Sequence, residues 1–231
     1  MGNERILLIE TSTLTCSLAL SNGLVILAQK IVREPKAHAK IVSILLRELL
    51  EETGEKLDSC DAVCVSSGPG SYTGLRVGVS FAKGLCYGAG IPLISVGSME
   101  LLAHCVIERA ILPEGCRFIA PMIDARRMEV YTALFTDRGE EINHVEAHII
   151  TNNSFLSALE DGVVLFCGDG AQKAGTLIDH PNARFLTIDP TADGMLHIAL
   201  EKLKKRQFED LAYFEPFYLK DFIAGPLKKL L

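Results

Sequence analysis

The sequence predicts an α/β protein in which one arrangement of strands and helices occurs twice. Three observations lead to this fold class. The same order of predicted elements runs along both halves of the chain. An acidic residue ends the first strand of each half, at Glu10 and Asp124, and a Gly-x-Gly follows each fourth strand, beginning at Gly68 and Gly168. Because these features stand at similar offsets, they indicate a duplicated fold.

The first half begins with a predicted strand at 5–11, whose centre at 6–9 is a continuous apolar run of the kind found in buried strands. Two further strands are predicted around Asn22-Gly23, a dipeptide that favours the turn of a β-hairpin. The remaining elements alternate between helix and strand, which makes the order β-β-β-α-β-α-β-α. Their predicted bounds are 15–20 and 24–32 for the hairpin strands, 37–53 for a helix, 62–66 for a strand, 68–74 for a loop, about 74–88 for a helix, 91–96 for a strand, and a last helix from Ser98.

The second half repeats this order. Strands are predicted at 117–123, 128–135, 142–150, 163–167 and 184–188, and helices at 154–160, after Gly170 and at 192–206. Two such halves describe the two-domain actin-like or sugar-kinase-like architecture, which supports many activities and decides none of them. We predict a first domain at 1–108, completed by 206–231, and a second at 109–205. The aromatic-rich stretch from Phe208 to Phe222 is expected to pack back onto the body.

Composition restricts the function classes. The chain has 231 residues, is 48% hydrophobic and carries a formal net charge of −6, so it can build a core but lacks the basic surface of a protein that grips nucleic acid alone. Seven cysteines without a C-x-x-C pair predict the reducing cytoplasm. No signal-peptide pattern and no membrane span are evident.

The most informative segment joins the predicted strand at 62–66 to the next helix. It resembles a phosphate-binding P-loop, because a glycine-rich turn leads from a strand into a helix. However, Gly74 follows Gly68 by six residues, and Leu-Arg stands where that motif needs Lys-Ser or Lys-Thr. Without the lysine no side chain reaches the β- and γ-phosphates, so a P-loop is disfavoured.

The helix after this loop carries small residues at intervals of four, at Gly74, Gly78 and Ala82. Each interior glycine costs about 1 kcal/mol relative to alanine, so a steric reason is expected. That reason is close packing either within the same domain or against another chain. The preceding helix has an apolar arc over half its circumference, with Ile44 outside even that arc, which favours contact with both its own sheet and a partner.

The loop and helix closely resemble the TsaB (YeaZ) family, and shorter matches extend over most of the chain, such as Ile9-Glu10-Thr11-Ser12, Ile123-Asp124-Ala125-Arg126 and Phe217-Tyr218-Leu219-Lys220. The signature loop of this resemblance comprises Gly68, Pro69, Gly70, Ser71, Tyr72, Thr73, Gly74 and Arg76. The resemblance implies an actin-like fold that pairs through its first two helices, with itself when alone or with the catalytic paralogue TsaD. The implied interface residues are Ile41, Val42, Leu45, Leu46, Leu49, Leu75, Gly78, Val79, Ala82 and Cys86.

The positions that correspond to the catalytic metal site of the paralogue have different residues in this chain. TsaD-like proteins carry a His-x-x-x-His metal site after the strand that follows the glycine loop, and here these positions hold Ser98 and Leu102. Leucine cannot bind a metal, and Ser98 is expected to cap the helix. His144 and His148 lie in a predicted strand about 13 Å apart, too far to share an ion. We therefore expect no metal site, and a metalloprotease is disfavoured.

The expected nucleotide cleft also departs from the actin-like kinases. Those proteins place glycine at the turn after the first strand of each domain, whereas this chain has Glu10-Thr11-Ser12 and Asp124-Ala125-Arg126. Glu10 and Asp124 could still act as a general acid and base pair, and the second Gly-x-Gly could line a cleft or form an ordinary turn. The candidate residues of a vestigial cleft are Glu10, Ser12, Asp124, Gly168, Asp169 and Gly170.

The resemblance implies a subunit of the complex that makes threonylcarbamoyladenosine in tRNA reading ANN codons, and the missing histidines and cleft glycines predict that this subunit is non-catalytic. The resemblance implies a TsaD-like catalytic subunit and a TsaE-like ATPase as partners. ATP and metal are expected on those partners, and contact with tRNA only through the complex. Two alternatives stay open: an actin-like small-molecule kinase or transferase, which predicts turnover by the isolated chain, and a self-sufficient homodimer that no partner displaces.

Overall fold

The computed structural model describes residues 3–34 and 37–220. The strands of the first half are β1 (Arg5–Glu10), β2 (Cys16–Asn22), β3 (Val25–Val32), β4 (Ala62–Gly68) and β5 (Leu93–Gly97), and its helices are α1 (His38–Thr53), α2 (Tyr72–Ala89) and α3 (Ser98–Glu108). The strands of the second half are β6 (Cys116–Asp124), β7 (Glu129–Thr136), β8 (Glu141–Ile149), β9 (Val163–Cys167) and β10 (Ala183–Leu186), and its helices are α4 (Leu156–Asp161), α5 (Ala171–Ala174) and α6 (Leu196–Lys204). Short 3₁₀ turns precede β4 and α6, at Leu57–Ser59 and Ala192–Met195.

The two halves have the same sheet topology, which confirms the predicted duplication. The first sheet has the order β3-β2-β1-β4-β5 and the second has the equivalent order β8-β7-β6-β9-β10. In each sheet the first three strands form an antiparallel meander, and the last two run parallel to the first strand. Parallel strands end at one edge of a sheet, so Glu10 and the signature loop are brought to one edge in the first half, and Asp124 and Gly168 in the second.

The hydrophobic core is layered. On one face of the first sheet, α1 and α2 lie side by side over residues such as Leu7 and Val65. The opposite face packs against α3 and α6. Helix α3 also packs on the second sheet, through Met99 and Leu102, so it is shared by both halves. The shorter α4 and α5 cover the remaining face of the second sheet.

The segment after α6, here called the strap (residues 206–220), crosses the first half and reaches the second. The backbone N–H of Glu209 donates to Leu93 O at 2.9 Å, and that of Phe217 donates to Ser67 O at 2.7 Å. Lys83 of α2 donates to the carbonyl of Phe214 at 3.0 Å. Lys220 then pairs with Glu129 on β7. The expected return of this stretch onto the body is thus confirmed as far as residue 220, and residues 221–231 lie outside the described part.

Several details differ from the sequence prediction. The hairpin loop consists of Gly23 and Leu24, with a positive φ of 54° at Gly23, while Asn22 belongs to β2. The helix expected after Gly170 has only four residues. The helix predicted at 192–206 starts as a 3₁₀ turn and becomes α-helical at Leu196. Although the predicted domain bounds assign α6 to the second half, it packs on the first sheet; those bounds stay a prediction.

Candidate functional site

The signature loop lies at the carboxyl edge of the first sheet, against the turn between β1 and β2. Ser71 is the N-cap of α2, and its hydroxyl accepts a hydrogen bond from the Gly74 N–H at 3.2 Å. Its own N–H donates to Ser12 O at 2.6 Å. The loop therefore begins α2 with a satisfied cap and ties it to the end of the central strand.

Three glycines allow this contact. A Cβ at Gly70 would collide with Ser12 O, one at Gly74 with Thr11 O, and one at Gly78 with the Thr11 hydroxyl. The row of small residues in α2 is thus explained by close packing within the first half. Farther along the same helix the situation changes, because a Cβ at Gly84 or Gly88 would meet no atom within 4 Å.

Aromatic and basic side chains surround the start of α2. The rings of Tyr72 and Tyr218 lie 4.7 Å apart, and the guanidinium of Arg76 lies 5.4 Å from the centre of the Tyr72 ring. A Cβ at Gly68, whose φ is 110°, would lie 2.6 Å from Phe217 O. The strap therefore covers the signature loop at the point where only glycine fits.

Glu10 is a fully buried carboxyl group at the end of β1. Its Oε1 accepts hydrogen bonds from the Ser12 N–H and the Ser12 hydroxyl, each at 2.5 Å. Its Oε2 has no partner among the described residues, and the same holds for the Thr11 and Ser98 hydroxyls. Burial raises the pKa of Glu10 from the ordinary 4.5 to about 7, and the hydroxyls of Ser12 and Ser66 together with the Ser12 N–H oppose this only in part.

Asp124, the equivalent residue of the second half, has a different environment. Its side chain is 46% exposed and pairs with Lys173 at 2.8 Å. Its backbone N–H donates to Asp169 Oδ1 at 2.9 Å, and burial raises the pKa of Asp169. Lys173 also donates to the carbonyls of Arg127 and Glu129. The carboxylate of Asp124 is therefore bound by a cation, that of Lys173, whereas the carboxylate of Glu10 is bound by the hydroxyl and the backbone amide of Ser12.

The second Gly-x-Gly repeats the geometry of the first. Gly168 has a φ of 116°, and a Cβ there would collide with Met122 O and lie 2.7 Å from Leu102 Cδ2. The N–H of Gly170 donates to Met122 O at 3.1 Å. The candidate cleft residues thus form two clusters, one around Glu10 and Ser12 and one around Asp124 and Asp169. Among the described residues no hydrogen bond or ion pair joins one cluster to the other.

Comparisons with known proteins identify the family. The family model described as tRNA N6-adenosine threonylcarbamoyltransferase (TsaD) matches residues 26–224. The chain belongs to the TsaD family. Within it, the tRNA threonylcarbamoyladenosine biosynthesis protein TsaB of Escherichia coli (strain K12) is 28% identical over 95% of this chain and 96% of its own length. The TsaB protein of Bacillus subtilis (strain 168) is 35% identical over 56% of this chain and 54% of its own length.

Solved structures agree on the fold. The structure described as YeaZ from Pseudomonas aeruginosa superimposes with a TM-score of 0.82 at 24% identity, over 94% of this chain and all of that one. An inorganic polyphosphate/ATP-glucomannokinase from Arthrobacter sp. strain KM gives a TM-score of 0.52 at 11% identity, over 88% of this chain and all of that one. The resemblance to TsaB (YeaZ) and the α/β, actin-like two-domain fold are confirmed.

The positions that hold the metal-binding histidines in TsaD-like proteins are occupied differently in this family member. Ser98 and Leu102 are fully buried, and Leu102 belongs to the core between α3 and the second sheet. The expected N-cap role of Ser98 is wrong: the N-cap of α3 is Gly97, and Ser98 is already the first helical residue, with no capping bond. These two residues do not fit a metal ion. In the described part of the chain no group of three or more metal-ligating residues occurs elsewhere.

The predicted interface residues are mostly buried within this chain. Of the ten, only Ile41 is partly exposed; the others face the first sheet or the neighbouring helix, and belong to the buried face of α1 (Val42, Leu45, Leu46 and Leu49) or of α2 (Leu75, Gly78, Val79, Ala82 and Cys86). The apolar arcs of the two helices therefore reflect this chain's own core. The outward faces carry other residues, including Ile44, which is 41% exposed, and Tyr87, which is 86% exposed. Pairing through these helices stays a prediction.

Sequence reasoning missed two lysines that organise the site. Lys173 donates a hydrogen bond to the carboxylate of Asp124. Lys220 forms an ion pair with Glu129, and its ammonium group lies 5.7 Å from the ring centre of Tyr131. The position of Lys173, three residues after the second Gly-x-Gly, was the available signal for the first. Lys220 stands in a quoted family motif, but nothing local indicates that it crosses to the other half.

Among the described helices, none is long and apolar enough to span a bilayer.

Proposed function

We propose that this chain is a subunit of the machinery that makes threonylcarbamoyladenosine in tRNA, and that it supports a TsaD-like catalytic subunit without carrying out the transfer. The names of its relatives support the pathway. The observation that carries the non-catalytic role is Leu102, because an aliphatic side chain fills the place of a metal ligand and packs beside Gly168. Restoring a metal there would require opening a core.

The environment of the two carboxylates also supports this role. A general acid and base pair needs groups within reach of one substrate. Glu10 is buried with one oxygen committed to Ser12, and Asp124 is committed to Lys173. In addition, the first turn of α2 packs directly on the carbonyls of Thr11 and Ser12.

The outward faces of α1 and α2 are the proposed docking surface, which we call the docking face. It consists of residues that the fold of this chain does not need to bury: Ile44, Ser80, Gly84, Tyr87 and Gly88. Small residues on α2 allow a partner helix to approach closely, and Ile44 and Tyr87 supply apolar contact area. The proposed partner at this face is a TsaD-like subunit, or a second copy of the chain when it is alone. A TsaE-like ATPase is proposed to join the complex of this chain with the TsaD-like subunit.

The test is threonylcarbamoyladenosine formation in a purified reaction with TsaD-, TsaE- and TsaC-type proteins, ATP, threonine, bicarbonate and tRNA. Product that forms only when this chain is included, together with no ATP turnover by the chain alone, is the expected result. Undiminished product without the chain, or saturable ATP turnover by the isolated chain, would reject the proposal in favour of an actin-like kinase or transferase.

Gly84→Arg tests the docking face specifically. The position is open and helical, so the substitution leaves the core intact and improves helix propensity by about 1 kcal/mol. We expect affinity for the TsaD-type partner, measured by titration calorimetry, to fall at least tenfold. The matched control is Ser157→Arg on the exposed side of α4. Equal affinity of the two variants would remove α2 from the interface.

A further inference from the structure

A groove at the amino end of the first sheet has no part in the function proposed above. It opens where β1, β4 and β5 begin, between the end of α2 and the strap, and has a volume of about 790 Å³. Pockets of roughly 300–1,000 Å³ can bury a ligand the size of several side chains. Apolar residues form its walls, and exposed aromatic rings stand at its rim: Ile91, Leu93, Leu203 and Leu211 in the walls, and Tyr87 and Phe208 at the rim.

The rim of the groove is acidic. Among the described residues that line it, three carboxylates, those of Glu4, Asp61 and Glu209, stand against one guanidinium, that of Arg206. None of these four forms an ion pair within the part of the chain that the structure describes. The groove therefore carries a net negative charge.

Two of these carboxylates accept hydrogen bonds from uncharged donors. Asp61 accepts one from the backbone N–H of Arg5 at 2.7 Å. Glu209 accepts one from the hydroxyl of Ser95 at 2.5 Å. A neutral donor orients a carboxylate but leaves its negative charge in place, so both groups can still bind a cation.

The carboxyl end of α2 adds to the negative potential. This helix of 18 residues has Gly90 as its C-cap, and its last turn, which the structure describes in full, contains no basic residue. The end carbonyl groups of a helix carry about half an elementary negative charge, which attracts cations. Because Gly90 lines the groove, this charge acts at the same place as the carboxylates.

The charge and the apolar walls together restrict the occupant. Carboxylates repel the phosphates of nucleotides and nucleic acids, because like charges placed side by side are unfavourable. An apolar floor with a negative rim is complementary to a segment that combines aliphatic side chains with lysine or arginine. Since the three carboxylates stand on three separate segments of the chain, more than one cation is needed to neutralise them.

We propose that this groove binds a short segment of another protein in which leucine-like side chains alternate with lysine or arginine. The aliphatic side chains lie against Ile91, Leu93 and Leu203, and the cations pair with the carboxylates of Glu4 and Asp61. The site is separate from the proposed catalytic partnership, so the inference does not rest on the proposed function.

The experiment uses two fluorescent peptides, Leu-Lys-Leu-Leu-Lys-Leu and Leu-Glu-Leu-Leu-Glu-Leu, and measures their anisotropy during titration with the full chain. We expect the basic peptide to bind at least tenfold more tightly than the acidic one. Its affinity should fall as salt is added, because salt screens the charges of an open rim. Equal affinities of the two peptides would show apolar adsorption alone and overturn the proposal.

Paired substitutions test the carboxylates of the rim. Glu4→Gln with Asp61→Asn removes two charges and keeps an oxygen acceptor at both positions, and should weaken the basic peptide at least fivefold. Glu140→Gln with Glu160→Gln is the matched control, because it removes the same charge from exposed positions of the second half. Equal affinities of the two double variants would contradict the proposal.

Three single variants locate the bound peptide. Tyr87 is 86% exposed at the groove, and Tyr213 is 84% exposed outside its lining. Tyr87→Lys should weaken the basic peptide at least fivefold, and Tyr213→Lys should leave it unchanged. Ile44→Gln, on the docking face but away from the groove, should also leave it unchanged. Loss of binding with Ile44→Gln would assign the peptide to the docking face and contradict the proposal.

Sedimentation of the native chain separates a different protein from a second copy as the occupant. We expect the basic peptide to leave the oligomeric state of the chain unchanged, and its affinity to be independent of chain concentration. Self-association that the basic peptide dissolves, and that Glu4→Gln with Asp61→Asn weakens, would assign the groove to a second copy and overturn the proposal.

Discussion

The two halves of the molecule share a sheet but differ in what surrounds it. Both have the same strand order, an acidic residue at the end of the central strand, and a glycine with φ above 100° at the corner of the fourth strand. However, α1 and α2 have 16 and 18 residues, whereas α4 and α5 have 6 and 4. The duplicated sheet and corners set the fold, and the helices and side chains around them set what each half can do.

The difference extends to the carboxylates. Glu10 is buried without a cation, and Asp124 is half-exposed beside Lys173. A catalytic pair would need both groups at one accessible place. Here the first half has closed around its carboxylate and offers two long helices to the outside. That contrast supports the proposal that this chain docks a catalytic partner and does not carry out the chemistry itself.

The corner glycines give the largest expected effect. Gly168→Ala and Gly68→Ala each force a side chain onto a backbone with an unfavourable positive φ, and each also places the new Cβ against a carbonyl oxygen. The strained backbone and the collision each cost about 1–3 kcal/mol of folding free energy. For Gly168 that oxygen is Met122 O in the central strand β6, which cannot move, so we expect a loss of about 4 kcal/mol. For Gly68 it is Phe217 O in the strap, and about 2 kcal/mol is expected. Urea unfolding measures both; equal losses would show that the strap is as fixed as the sheet.

Glu10→Gln gives the next largest effect and depends on pH. Since the pKa of Glu10 is about 7 in the folded chain and near 4.5 when unfolded, ionisation disfavours folding. The native protein should therefore lose stability as pH rises from about 4.5 to 7, by about 3 kcal/mol, and lose no more from this group above that range. The variant lacks this loss. The free energies of unfolding of the native protein and of Glu10→Gln, measured at pH 5 and pH 8, test this difference, and Glu48→Gln on the exposed face of α1 is the control. Parallel pH profiles for the native protein and Glu10→Gln would contradict the burial argument.

Within α2, two glycines should respond in opposite directions. Gly78→Ala forces a Cβ onto the Thr11 hydroxyl and should destabilise by about 2 kcal/mol. Gly84→Ala meets no atom and should stabilise by about 0.5–1 kcal/mol through helix propensity. Thermal unfolding of the two variants compares them directly. Destabilisation by Gly84→Ala would mean that the outward face of α2 is not open.

Most of the architecture could be predicted from the sequence because strands and long helices have strong apolar periodicity. The acidic ends of the central strands, Glu10 and Asp124, and the two glycine corners could also be predicted, because they occur at similar offsets in both halves of the sequence. What the sequence could not separate was a helix face buried by its own sheet from one buried by a partner. Val42 and Leu45 have the same apolar character in either case, and only the packing of α1 on the sheet resolves them.

Long-range contacts were also beyond sequence reasoning. The pairing of Lys220 with Glu129, and the return of α6 to the first sheet, join residues far apart in the chain. Ser98 shows a different limit. A serine at a helix start is a good cap only when it precedes the first helical residue, and a shift of one position leaves its hydroxyl buried without a partner in the described structure.

The central claim is that this chain supports catalysis without performing it. The most direct test is threonylcarbamoyladenosine formation by the complete reaction containing the double variant Glu10→Gln/Asp124→Asn, compared with native chain and with Gly84→Arg. The account predicts that the double variant sustains the native rate within about twofold at saturating concentration, whereas Gly84→Arg reduces it at least tenfold at limiting concentration. Loss of product with the double variant, despite native partner affinity, would contradict the account and assign chemistry to these carboxylates.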